Sequence, residues 1–398
     1  MMISINGEWF MKKTLSLALS MLSLVSFCYA LDTDTHEAIN EHISRSAFNG
    51  FSLDAYIKRN LGVQSGIEGK FDSHEVWWWI QKGGLYEDIP VFYLPYLRSF
   101  NHFHNPLTEE GFKGNCLGSS LCVSSTVWAL MPLGTQSSIT GNYSWHDLRD
   151  YYLKALTSTE ATTRNTYFAK TFRGLGQLMH LIEDASVPAH TRNDAHLFGY
   201  HYEKAVENIR NSKDTQIKKV YEDAVLKPLN FNGIINNMTS FIDTNQYNNP
   251  NPDPNATANL TTDSNGNRYS IIGLSEYTQA NFVSEGLFGT NFSNFPYPQI
   301  TQNTPVETRN ITNPLGTGTY PRQYYLKNCC GETNNGQGYL LAAVDLLDYW
   351  RQTYPLLSPL LPKIPVLDDN VYQDYASLLL PRAVGYSSGL LNYFFRGQ

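Results

Sequence analysis

Residues 180–190 read His-Leu-Ile-Glu-Asp-Ala-Ser-Val-Pro-Ala-His, three metal-capable side chains at a spacing that can bring them together. His180 and Asp184 are four residues apart, so on a helix they share one face. Pro188 pushes the residue before it out of the helical region, so the helix is expected to stop there and His190 to follow on a turn. His196 and Glu203 come just after. Imidazole nitrogen and carboxylate oxygen are zinc donors, and a site with an open position for water can hydrolyse. The mixed donor set points to zinc. Glu183 lies near His180 on the same helix and reads as a surface charge.

Two further candidates precede this segment. Asp88 lies in Glu87-Asp88-Ile89-Pro90, and His102 in Phe100-Asn101-His102-Phe103-His104-Asn105-Pro106. His36 is the third. Each alone would pass for a turn aspartate, a loop histidine or an exposed helix residue.

Hydrophobic spacing indicates the elements that must position these groups. Helical periodicity runs through 31–48, 53–61, 73–83, 145–157, 161–185 and 202–211, then 271–282, 339–354 and 371–395. Residues 86–106 are rich in proline and aromatics and read as loop. Residues 107–143 and 228–335 are expected to be irregular insertions around a single helical domain; within the second, Asn248-Asn249-Pro250-Asn251-Pro252-Asp253-Pro254 reads as loop. Few segments alternate with period two, so the expected class is all-α.

The chain has 398 residues, enough for a sizeable core, and a net charge of −7. A mildly acidic protein has no general attraction for nucleic acid or anionic lipid. Lys12-Lys13, the apolar run Leu15 to Phe27 and the small residue Ala30 read as a secretory signal over residues 1–30, with Met11 a candidate start. Cleavage after Ala30 would make Leu31 the N-terminus, and the protein is expected to be exported from a bacterial cell, periplasmic or secreted. Cys116–Cys122 could close a small disulfide loop in an oxidising compartment, while the pair Cys329-Cys330 has no evident assignment.

These residues together resemble the zinc-dependent phospholipase C and single-strand nuclease superfamily, an all-α bundle around three zinc ions. His180, Asp184 and His190 match its central His-x3-Asp-x5-His segment, with Pro188 and Asn193 as matching flanks. Asp88 and His102 resemble its upstream Asp and His ligands at the spacing of the phospholipase branch. The family also ligates metal through the mature N-terminal residue and a nearby His, which implies Leu31 and His36 at a spacing like the nuclease branch. Its last ligands are a His and a Glu one helical turn apart. Glu203 resembles that Glu, but Gly199 stands where the His belongs. His196, in the loop after the motif, is the favoured substitute, and His201 the alternative, since on a regular helix it would point to another face than Glu203. Many relatives begin with Trp where this chain has Leu31.

The resemblance is strongest over 31–205, and the segment 379–390 resembles tails of larger bacterial members. It implies that Asp184 bridges two ions, one shared with Asp88, His102 and His180, the other with Leu31 and His36. His190 and Glu203 would hold the third. Clustered zinc ions suit phosphodiester hydrolysis, because metals stabilise the attacking and leaving oxygens and supply hydroxide near neutrality. Asp88 is a candidate general base as well as a ligand. The expected activity is phospholipase C acting on glycerophospholipid at a membrane surface. A nuclease or nucleotidase is the alternative, with nucleic acid as its partner. A non-catalytic secreted metal-binding protein is a third reading. No obligatory protein partner is expected. Ile89 follows Asp88 where choline-selective relatives have an aromatic, which argues against a phosphatidylcholine preference. Trp77-Trp78-Trp79 and Tyr393-Phe394-Phe395 could touch lipid or stack bases, or pack in the core; three consecutive Trp cannot all face one core, so at least one is expected to line a pocket or the surface.

Overall fold

A computed structural model describes residues 33–48, 50–89, 98–112, 122–137, 139–194, 201–248, 260–262, 264, 268–285, 295–327, 338–356 and 363–396. The fold is mostly helical, with small sheets at its margins. The first part runs α1 (Thr33–Arg45), hairpin β1–β2 (Ala47–Phe48, Phe51–Ser52), α2 (Leu53–Asn60), hairpin β3–β4 (Lys70–Phe71, His74–Glu75) and α3 (Val76–Asp88). Then follow α4 (Ser125–Ala129), α5 (Trp145–Thr157), α6 (Ala161–Asp184), the one-turn α7 (Pro188–Thr191), α8 (Tyr202–Arg210) and α9 (Thr215–Leu226). The last part holds β5 (Asn230–Phe231), β6 (Leu260–Thr262), β7 (Arg268–Ser270), α10 (Leu274–Asn281), β8 (Val306–Thr312), β9 (Thr319–Lys327), β10 (Tyr339–Ala343), α11 (Asp348–Thr353) and α12 (Asp369–Arg396).

The long helix α6 is the central element. Glu160 caps its first turn, accepting from the Thr162 and Thr163 amides. From Phe168 onward almost every residue is buried, because α3, α5 and α12 pack around it. The helix stops at Asp184, and Val187 turns extended ahead of Pro188. Pro188 does more than end a helix: it occupies the first turn of α7, where its missing N–H costs nothing.

The contact between α3 and α6 is made by backbone. A Cβ on Gly83 would lie 2.2 Å from the Arg173 carbonyl oxygen, and one on Gly176 would lie 2.1 Å from the Ile80 oxygen. Asn40 of α1 donates to the carbonyls of both helices, Ile80 at 3.3 Å and Gly176 at 3.2 Å. The three helices that carry His36, Asp88 and His180 are thus locked at one junction.

The expected helix at 339–354 divides into a strand, Tyr339–Ala343, and the short α11. All five strand residues are buried, a run whose type periodicity cannot decide. It pairs with β9, which also pairs with β8, giving an antiparallel sheet of order β10-β9-β8 whose strands β8 and β9 lie inside the stretch 228–335 expected to be irregular. Helix α9 is likewise an element that the sequence reading did not assign. The all-α expectation is therefore refined to mostly helical.

The three tryptophans at the start of α3 are each half-buried. Trp77 lies under Arg45, Trp78 stacks on His74, and the Trp79 indole donates to Phe71 O. Trp78 is ten residues from Asp88, about 15 Å along the helix, so these rings do not line the site. Among the described residues no helix is long and apolar enough to cross a membrane.

Candidate metal centre

Five side chains from three helices and one loop converge on a buried point. His36 comes from the first turns of α1, Asp88 from the last residue of α3, His180 and Asp184 from the end of α6, and His102 from the residue after a 3-10 turn. All five are essentially inaccessible to solvent. Asp184 is the hub. Its Oδ1 lies 3.3 Å from His36 Nε2, and its Oδ2 lies 3.0 Å from His102 Nδ1, 3.1 Å from His180 Nε2 and 3.8 Å from His190 Nδ1. Asp88 Oδ1 approaches His102 Nδ1 at 3.5 Å and His180 Nε2 at 3.6 Å.

The residues therefore form two overlapping groups able to hold a metal ion, one of His36, His180 and Asp184 and the other of Asp88, His102 and His180. The polar accounting agrees. Both carboxylate oxygens of Asp88 and both of Asp184 are buried and make no hydrogen bond. A buried carboxylate is costly unless something positive meets it. His180 Nε2 and His102 Nδ1 face each other at 3.3 Å, and of two such nitrogens only one can donate to the other. Lone pairs converging on shared space are what a cation requires.

Charges without a metal show the same tension. Burial pushes Asp88 up, and His180 and His102 offset this only in part. Burial also opposes ionisation of Asp184, but His180, His190 and His102 hold it well below the usual carboxylate range. Burial disfavours charge on His36, yet Asp184 and Glu183 push it up to about 10, and Asp184 and Glu87 do the same for His102. A metal would take the place of these protons.

Two residues that sequence reasoning passed over lie behind the ligands. Glu183 is not a surface charge. It is fully buried, with Oε2 2.5 Å from His36 Nδ1, because the last turns of α6 have no solvent face. Glu87 Oε1 lies 3.8 Å from His102 Nε2. Glu87 is itself held by Arg98 at 2.8 Å, Trp128 Nε1 at 2.9 Å and Gln177 Nε2 at 2.7 Å. Carboxylates placed behind ligating histidines fix the ring and raise its basicity. The signal was in the sequence as two Glu-Asp dipeptides, at 87–88 and 183–184, each at a helix end.

His190 reaches the other side of the cluster. Its ring stacks on Phe103 at 4.4 Å, and its Nε2 lies 3.2 Å from Glu203 Oε1. Helix α10 steadies α7: Gln279 Nε2 donates to Thr191 O at 2.6 Å, and Arg192 donates to Gln279 O at 3.0 Å. His201 Nδ1 lies 2.9 Å from Glu203 Oε2. The helix-face argument against His201 does not apply, since His201 is the extended residue preceding α8 rather than part of it. Leu31, His196 and the signal segment 1–30 lie outside the described residues. Cys122 is disulfide-bonded, and the remaining cysteines lie outside the described residues too.

Compared with family models, with curated proteins and with solved structures, the chain shows no match, so the meaning of this centre rests on its own geometry and chemistry.

Proposed function

We propose that the buried cluster is a zinc centre and that the protein is an exported phosphodiesterase, first of all a phospholipase C that splits glycerophospholipid into diacylglycerol and a phosphorylated headgroup. The observation that supports this most is the convergence of His36, Asp88, His102, His180 and Asp184, with the carboxylate oxygens of both aspartates buried and without a hydrogen bond. The donor chemistry fits zinc: imidazoles and carboxylates and no sulfur. Three ions are proposed in all, with His190, Glu203 and one of His196 or His201 holding the third and Leu31 joining His36.

Bound zinc would supply positive charge to a phosphodiester and acidify a water molecule. The protein's own part is positional. Asp184 orients four imidazoles at once. Asp88, whose carboxyl burial makes more basic, is placed to take a proton at Oδ1 or Oδ2. Glu183 and Glu87 keep the His36 and His102 rings turned towards the centre.

The test is purified mature protein with zinc, presented with phosphatidylcholine vesicles, phosphatidylglycerol vesicles and single-stranded DNA. Diacylglycerol release that chelation abolishes supports the reading. DNA cleavage without diacylglycerol moves it to the nuclease alternative. Neither activity, with metal bound, leaves a metal-binding protein and overturns the enzyme.

A further inference from the structure

His102 and His104 are separated by one residue, and they serve different neighbourhoods. His102 enters the cluster above, whereas His104 meets a second group with Glu109 and Asp243. His104 is almost fully buried, and its Nε2 lies 2.6 Å from Asp243 Oδ2. Its other nitrogen, Nδ1, lies 2.7 Å from Ser124 Oγ. That serine is itself fixed: it caps α4 by accepting from the Thr126 amide at 3.3 Å. The ring is thus anchored at the back and presents Nε2 forwards, the arrangement found behind ligating histidines.

The two carboxylates meet in front of it. Glu109 and Asp243 are close enough to share a hydrogen bond, and burial together with Asp243 raises the Glu109 carboxyl above its ordinary value. Asp243 Oδ1 is already used, accepting from the Asn245 amide at 2.7 Å. Two carboxylates in contact require a proton or a cation between them. Both line a cavity of about 730 Å³ whose other walls are polar or apolar, with no Lys or Arg among the described lining residues. Among the described residues neither carboxylate pairs with Lys or Arg. The cavity therefore presents two acids, with the buried His104 imidazole behind Asp243, and no Lys or Arg among the described lining residues offsets them.

We propose that His104, Glu109 and Asp243 form a second, separate site for a divalent transition-metal ion, with its open side on this cavity. One nitrogen and two carboxylates select zinc or manganese over calcium, which prefers an all-oxygen cage, and over magnesium, which keeps its waters. Three protein ligands leave a position for water or a small anion from the cavity. The ion would pin the segment after His102, through Glu109, to the segment around Asp243. This site does not depend on the proposed phosphodiesterase.

The experiment uses the full mature chain, dialysed against zinc, with metal counted by elemental analysis in the wild type, Glu109→Gln, Asp243→Asn, Asp184→Asn and the doubles Asp184→Asn/Glu109→Gln and Asp184→Asn/Asp243→Asn. Glu109 sits on an exposed loop, so Glu109→Gln keeps the fold even where Asp243→Asn does not. Each single change at this site is expected to remove one equivalent from the wild-type count. Asp184→Asn is expected to lose the two ions that Asp184 would bridge and to keep the ion at this site, and either double falls one equivalent below Asp184→Asn. With manganese as probe, the bound-ion electron paramagnetic resonance signal of Asp184→Asn falls by one equivalent in Asp184→Asn/Glu109→Gln. An unchanged metal count in Glu109→Gln overturns the proposal. So does a Glu109→Gln variant with equally raised Tm in chelator and in zinc, which would identify a shared proton instead. An Asp184→Asn protein that keeps every equivalent refutes the first centre alone.

Discussion

Glu183 Oε2 lies 2.5 Å from His36 Nδ1, and Asp184, the next residue, lies 3.3 Å from the Nε2 of that same ring. Consecutive residues of one helix thus hold both nitrogens of a histidine 147 positions away. Glu87 and Asp88 flank the two nitrogens of His102 more loosely, at 3.8 and 3.5 Å, from the end of α3. In each dipeptide the aspartate faces the centre and the glutamate the outer shell.

Glu183→Ala is expected to weaken metal binding about 10- to 100-fold, the usual effect of losing a carboxylate behind a ligand. Glu183→Gln, which keeps an acceptor for Nδ1–H, should fall between it and the wild type. Competition with a chromophoric chelator measures both. Equal affinity for Glu183→Ala and the wild type would return Glu183 to a packing role.

Glu87→Ala should act mainly on stability. Arg98, buried with it, would lose its carboxylate partner, at a cost of about 3–5 kcal/mol. Urea unfolding of the two alanine variants checks the contrast; a Glu87→Ala protein as stable as the wild type would contradict it.

Gly176→Ala adds a methyl group where α3 leaves no room, 2.1 Å from the Ile80 oxygen. Helices that must separate to admit it should lose about 1–3 kcal/mol. Since Asp88 and His180 ride on those helices, zinc affinity should fall with Tm. A lower Tm with undiminished affinity would mean that the junction does not set the site.

His201→Ala removes the imidazole 2.9 Å from Glu203 Oε2. If His201 completes the third site, the variant loses one zinc equivalent and His196→Ala loses none. The reverse result assigns the role to His196.

Lys327 gives a pH test away from the metal. Burial, with Arg192 nearby, lowers its ammonium to about 7, while its Nζ donates to Ala280 O at 3.3 Å. Between this value and the 10.5 of a free lysine the unfolded chain binds a proton that the folded chain does not. Stability should therefore rise with pH from about 7 towards 10. In Lys327→Met that rise disappears. Parallel stability profiles for the two proteins between pH 7 and 9.5 would exclude the effect.

Much of the centre was legible because its ligands obey local rules. His180 and Asp184 share a helix face, and Pro188 marks the break before His190. Glu183 was not legible, since a sequence shows that a helix is amphipathic only when it has a wet side, and the end of α6 has none. The buried strand Tyr339–Ala343 was lost among apolar residues that suit helix and strand alike. The exposed strand Val306–Thr312 has no apolar face to betray its period. Asp243, paired with His104 across 139 positions, could be found only once the chain was folded.

The paired Glu-Asp dipeptides have a consequence for how this protein can vary. A point substitution at one of the four carboxylates removes the contacts of that side chain alone and leaves its neighbour in place. An added or missing residue in the last turns of α6 rotates the helix end by about 100°. Both acids would then leave His36 together, and His180 or His190 would lose register with them. The centre can drift residue by residue, but near the ends of α3 and α6 insertions and deletions should be absent from any functional descendant.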